Sequence, residues 1–185
     1  MKYLLFTLST IISLNAFAQS TEEKAFMEYA TPGKEHQQLA REVGKWKMTI
    51  NAYMAPGAAP IQSQGTCVSE QIMGGKFIRS KHSGDMMGMP FEGENTSGFD
   101  KATKKYFFTW IDNMGTGVMR GEGTYDEAKK MYNYVGTNSD PMTGKQQAIR
   151  ETMQWINDDT QEMNLYMTHE GKEVKMLVIK FERIK

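Results

Sequence analysis

From residue 45 onward the chain alternates. Aromatic, Val, Ile, Thr and Met residues recur at every second position in segments of eight to twelve residues, separated by clusters of Gly, Asn, Asp and Pro. A period of two belongs to strands with one face turned to a core, and turn-bounded segments at this spacing mark an all-β domain. The pattern predicts ten strands, at residues 45–54, 62–73, 76–83, 91–99, 105–113, 117–125, 131–138, 145–156, 161–168 and 174–184. Links such as Asp100-Lys101-Ala102-Thr103 and Glu170-Gly171-Lys172 are of hairpin length, so consecutive strands are expected to be antiparallel neighbours. Ahead of them, 21–29 reads as a short helix stopped by Thr31-Pro32-Gly33, and 35–43 as a second.

Ten sequential antiparallel strands do not stay flat. Their twist accumulates and open edges invite aggregation, so the expected fold is mainly β, a ten-stranded antiparallel up-and-down barrel with short N-terminal helices. A two-sheet sandwich is the competing architecture. Eight strands already enclose room for side chains or one small ligand, so ten predict a lumen unless large residues plug it. Glycines inside the strands (Gly93, Gly98, Gly121, Gly123, Gly136) would permit the bends a small barrel needs.

The first eighteen residues have a different pattern. Met1-Lys2 is a positive start, Tyr3 to Leu14 an apolar run, and Ala16-Phe17-Ala18 a small-x-small site before Gln19, together a secretory signal peptide. The expected division is therefore 1–18 signal peptide, 19–33 helical leader and 34–185 barrel, in a protein exported to the periplasm or beyond, with no integral membrane segment after cleavage. Lys plus Arg (22) balances Asp plus Glu (22), without the basic excess that phosphate backbones demand, so nucleic acid is not an expected partner. Cys67 is the one cysteine, so no internal disulfide is available, and a buried inert thiol is expected there. Only Leu39, Leu165 and Leu177 follow the leader, whereas the chain holds sixteen Met and twenty Phe, Tyr and Trp. The apolar volume is therefore carried by flexible thioethers and flat rings.

At Gly44-Lys45-Trp46 a short helix runs into Gly-x-Trp at the first strand, an arrangement that resembles lipocalins and fatty-acid-binding proteins. More specifically, Met73-Gly74-Gly75-Lys76-Phe77, Met86 through Gly93, Thr109 through Gly117, Glu122 through Asp126, Asp140 through Lys145 and Arg150-Glu151 resemble domain-of-unknown-function family 1579, a lipocalin-like, calycin-type group. The likeness spans about 36–183, with two small departures: Lys76 where Arg is expected and Phe99 where Tyr is expected. It implies a barrel and no established reaction. It also implies that Arg183, on the last strand, covers the Trp46 ring and helps close first strand on last.

Alternation puts Tyr106, Phe108, Trp110 and Asp112 on one face, and Phe107, Thr109 and Ile111 on the other. With the first set inward, Trp110 offers a flat apolar surface and Asp112 an acceptor. Arg150 and Glu151 are adjacent and so face opposite ways. Arg150 is the expected lumen residue, able to pair with Asp112 or to receive a carboxylate ligand, against the reading of a buried structural ion pair. The stretch from His82 to Phe91 is the most unusual in composition. Met86, Met87, Met89 and Phe91 are expected to form a hydrophobic flap over the barrel mouth. The same thioethers with His82 could instead take Cu(I). His36 and His169 are expected in solvent, nothing in the spacing singles out His82 or His169 as a haem ligand, and no cofactor is expected.

The leading expectation is an exported barrel that binds a small hydrophobic or amphipathic molecule through Trp110, Asp112, Arg150, Met86, Met87, Met89 and Phe91. An acid/base enzyme using Asp112 or Glu151, which requires a buried carboxylate of raised pKa, is the alternative. A packed barrel acting only through its outer surface, as an envelope interaction module, is the third.

Overall fold

The computed structural model describes residues 20–86, 88–169 and 171–185. The expected signal peptide, Met87 and Glu170 lie outside the described residues. Two units are distinguished, one ending at Ala30 and one running from Thr31 to Lys185. The first contributes α1 (Thr21–Ala30), whose start is capped by Ser20: its Oγ accepts a hydrogen bond from the Glu23 backbone N–H at 3.1 Å.

The second unit opens with α2 (Lys34–Ala40) and continues through β1 (Gly44–Ala52), β2 (Ile61–Ile72), β3 (Phe77–Met86), β4 (Met89–Asp100) and β5 (Lys105–Asp112). It closes with β6 (Met119–Asp126), β7 (Met131–Ser139), β8 (Gln146–Asn157), β9 (Thr160–His169) and β10 (Lys172–Arg183). Every strand is antiparallel to its neighbour in sequence, and β1 pairs with β10 as well as β2, so the sheet closes into a barrel. The sandwich is excluded. Closure places Trp46 opposite Arg183, whose guanidinium carbon sits 4.0 Å from the indole centroid, as the resemblance implies. Arg183 also donates to the carbonyls of Val43 (2.7 Å) and Arg41 (2.8 Å), tying the α2–β1 junction to the last strand.

Inward positions carry the apolar members of the alternation. One cluster packs Tyr106, Phe108, Tyr132, Tyr134, Ile78, Ile149 and Leu165 beneath Leu39 of α2. A second gathers Trp46, Met48, Ile50, Cys67, Trp155, Ile179 and Phe181 across β1, β2, β8 and β10. Glycine is required where the sheet comes closest to its own contents. A Cβ on Gly136 would strike the Arg120 carbonyl of the neighbouring strand, and one on Gly93 would strike the Trp110 ring.

Two expectations are corrected. The Met-rich segment is not a flap draped over the mouth: β3 and β4 extend through it, Met86 pairs with Met89, and it forms the tip of a hairpin. Gly88, at φ +82°, makes the tight reversal, and its N–H donates to Asp85 Oδ1 at 2.8 Å, so pairing continues to the end of the run. His36 is buried rather than solvated. It faces Phe99 edge-on at 6.1 Å, and its Nδ1 accepts the Gly33 N–H at 3.0 Å, fixing the start of α2 while burial lowers its pKa.

Candidate functional site

The lumen is not filled. Between the two clusters lies a cavity of about 320 Å³, at the lower end of the range in which small-molecule sites are found. Its wall is largely thioether and ring: Met48, Met86, Met119, Met153, Met163 and Met167 alternate with Phe91, Phe108, Trp110 and Phe181. Strand alternation explains the Met content, since Met153 on β8, Met163 and Met167 on β9, and Met119 on β6 all occupy inward positions.

At the wide end, Trp110 is the best-held ring. It stacks on Phe91 with centroids 6.2 Å apart, meets the His82 edge at 5.0 Å, and donates its indole N–H to Asp112 Oδ2 at 2.7 Å. The other Asp112 oxygen accepts the Met114 N–H at 3.0 Å, which orients the carboxylate at the mouth. Trp110, Asp112, Met86 and Phe91 thus come together on the cavity wall as expected. Met89 stands 48% exposed on the hairpin tip, outside the lining, and Met87 is outside the described residues.

Arg150 does not join them. It projects outward, pairing bidentately with Glu173 at 2.7 Å and lying 3.8 Å from the Tyr166 ring centroid, so it cannot meet Asp112. Its neighbour Glu151 takes the inward position instead. The sign was legible in the alternation: Ile149, Glu151, Met153 and Trp155 form the apolar face of that strand, and Arg150, Thr152 and Gln154 the polar one.

Sequence reasoning misses two chemically important wall residues, Glu42 and Gln161. Glu42 follows α2, outside any strand register, and reaches the lumen because the chain turns inward there; its carbonyl also accepts the Trp46 indole N–H at 2.9 Å. Burial, joined at Glu42 by the Glu151 charge, pushes the Glu42 and Glu151 carboxyls up to about 8. No ion pair among the described residues includes either carboxyl. The second is Gln161, 3% exposed, whose Nε2 has no hydrogen-bond partner among the described residues.

Cys67 is buried as expected, and burial pushes its thiol up to about 11, so it is held as the weakly nucleophilic thiol. It does have a histidine beside it, because pairing of β2 with β3 sets Cys67 opposite His82. The His82 ring bridges two sulfurs, with Nε2 3.6 Å from Cys67 Sγ and Nδ1 3.3 Å from Met48 Sδ, and burial drives its pKa down to about 4. Asn95, which with Thr96 and Ser97 spells a glycosylation sequon, also lines the cavity.

A family model described as "Protein of unknown function (DUF1579)" matches residues 31–183. No curated protein matches the chain in sequence. Among solved structures, the barrel is similar to the crystal structure of Rv2717c from M. tuberculosis, with a TM-score of 0.64 at 16% identity over 84% of this chain and 100% of that one. It is also similar to the S-type phycobiliprotein lyase CPES from Guillardia theta, with a TM-score of 0.54 at 16% identity over 86% of this chain and 97% of that one. At such identities the likeness speaks to the fold.

Proposed function

The chain belongs to the DUF1579 family, and from that membership and the hollow barrel we propose that it binds a small hydrophobic or amphipathic molecule in its lumen. The observation that carries the reading is the cavity of about 320 Å³, walled by thioethers and rings with a few convergent polar groups. That is the composition of a ligand site rather than of a packed core. Methionines suit a guest of irregular outline, because their unbranched side chains re-pack at low cost. Trp110 supplies a flat contact surface at the mouth, with Asp112 as the polar group beside it. The similar fold of a structure described as a phycobiliprotein lyase is consistent with a barrel of this shape serving a binding or catalytic role. Export through residues 1–18 is part of the same proposal; a mature protein beginning at Gln19 in the envelope or medium is its expected mark.

Titration of intrinsic Trp fluorescence with neutral, cationic and anionic ten-carbon amphiphiles tests the binding. Saturation by at least one is expected, with Trp110→Ala weakening it about tenfold or more, the scale of losing a buried aromatic contact. Absence of saturation across the panel, together with no small molecule co-purifying in native mass spectrometry, overturns the reading.

A second reading is acid–base chemistry on the bound molecule. It is favoured by Glu42 and Glu151, two carboxyls held protonated near neutral pH inside the same cavity. Its mark is a co-purified ligand that is released chemically changed, with Glu151→Gln retaining binding and losing the conversion.

A further inference from the structure

The charge of the guest follows from which ionisable groups the barrel turns inward and which it turns out. Arg150, the cation that would have welcomed a carboxylate, is spent on Glu173 outside. Of the cations nearest the closed end, Arg41 is paired with Asp158 and lies over the Trp155 ring, and Arg183 is paired with Asp159 and lies over Trp46. None of the described residues lining the cavity is a Lys or Arg. Its wall instead presents Glu42 and Glu151, close enough for the Glu151 charge to raise Glu42 and neither in an ion pair among the described residues, together with Asp112 at the mouth.

We propose that the Glu42 and Glu151 carboxyls form the recognition subsite for a protonated amine carried on an apolar skeleton, so that the lumen receives a basic amphiphile and rejects a fatty-acid-like anion. This rests on the lumen-binding reading above and names its ligand class.

Two carboxyls without a cation are costly to bury in ionised form, and an ammonium between them offers three donors and the missing charge. A carboxylate guest would meet two acid protons but no cation, so its buried charge would go without a counter-charge, and ionisation of either acid would repel it. A second observation points to a polar guest. Gln161, almost wholly buried on the same wall, has an amide nitrogen without a partner among the described residues, which a hydrogen-bond acceptor on the apolar skeleton would satisfy.

Binding of an amine at this pair releases one proton, because both carboxyls are protonated in the free protein at neutral pH and one of them ionises against the single positive charge. The other titratable groups that face them are Cys67 of β2, His82 of β3, Tyr106 of β5, and Tyr132 and Tyr134 of β7, with Asp112 further out. His82 is kept neutral, and the thiol and the three phenols are all raised by burial, so those groups keep one protonation state between pH 6 and 8.

The test compares decylamine, 1-decanol and decanoate, titrated into the whole protein by calorimetry at pH 6, 7 and 8. Decylamine is expected to bind at least about tenfold more tightly than 1-decanol and decanoate at pH 8. Its affinity should rise by up to about tenfold per pH unit, with a buffer-dependent heat that reports the released proton. The affinity of 1-decanol should stay flat. The Glu42→Gln/Glu151→Gln double variant should abolish the preference for the amine while keeping the alcohol. If 1-decanol binds as tightly as decylamine, or the double variant retains the preference, the amine subsite is overturned and the lumen reading stands. If none of the three binds, the amine subsite is overturned, and the lumen reading falls with it when native mass spectrometry also finds no co-purified small molecule.

Discussion

The two sides of the barrel interior are built from different materials. Below, Tyr106, Tyr125, Tyr132 and Tyr134 interlock with Phe99 and Phe108 at centroid separations of 4.7–6.4 Å, under the Leu39 plug. Above, methionines from β1, β3, β6, β8 and β9 share the wall with rings and aliphatic side chains, and the space is open. Rings have two side-chain torsions and well-defined packing geometries, so the lower side fixes the diameter and the floor of the barrel. Thioether side chains have more torsions and no fixed partner, so the upper side leaves volume that a guest can shape. The difference teaches that rigidity and vacancy are separated within one lumen. The rings hold the cylinder open, and the methionines do not fill it.

The sharpest way to break that comparison is at the floor. Tyr132 is 0% exposed and touches Tyr106, Tyr125 and Tyr134, so Tyr132→Ala should cost about 3–5 kcal/mol in urea unfolding, whatever the ligand state.

Next is the pH dependence of the buried acids. Folding raises the Glu42 and Glu151 carboxyls from an ordinary value of 4.5 to about 8, so the fold binds protons that the unfolded chain releases. Their contribution to stability is therefore complete below pH 4.5 and is lost as pH rises to about 8, by up to about 1.4 kcal/mol per unit for each group. Melting temperatures of the wild-type protein and Glu151→Gln should coincide more closely at pH 5 than at pH 8.5, with the variant more stable at the higher pH. Equal differences at both pH values would mean that the carboxyl is not held protonated by the fold.

Smaller effects are expected on the upper wall. Met163→Leu, nearly equal in volume, should change stability by less than about 1.5 kcal/mol while altering ligand affinity, because the lining loses its adaptability. The smallest effect belongs to Arg150→Ala. Its pair with Glu173 is partly exposed, so the loss in unfolding free energy should stay near or below about 1 kcal/mol, with ligand affinity unchanged. A large loss of affinity in that variant would return Arg150 to the site.

Much of this interior was legible before any coordinates. The strand count, the sequential order and the placement of Trp110 and Asp112 on one face follow from a period of two and short turns, which are local properties of the chain. The choice of Arg150 over Glu151 was an avoidable error, since the phase of Ile149, Met153 and Trp155 already assigns Glu151 to the apolar face. The flap failed for a different reason. Methionine is compatible with strand, and only the pairing of Met86 with Met89 shows that β3 and β4 run on into the hairpin.

The amino-acid order alone determined the repeating units and, within each, which side chains share a face, because alternation and turn chemistry act over a few residues. Tertiary structure decided what those faces meet. It set Cys67 against His82, brought Glu42 from the end of a helix to a carboxyl on the eighth strand, and stacked the tyrosines so that the methionines were left around a hollow. Strand pairing sets the first of these, and the meeting of Glu42 with Glu151 and the hollow between the walls join residues distant in the chain, brought together as β1 closes on β10.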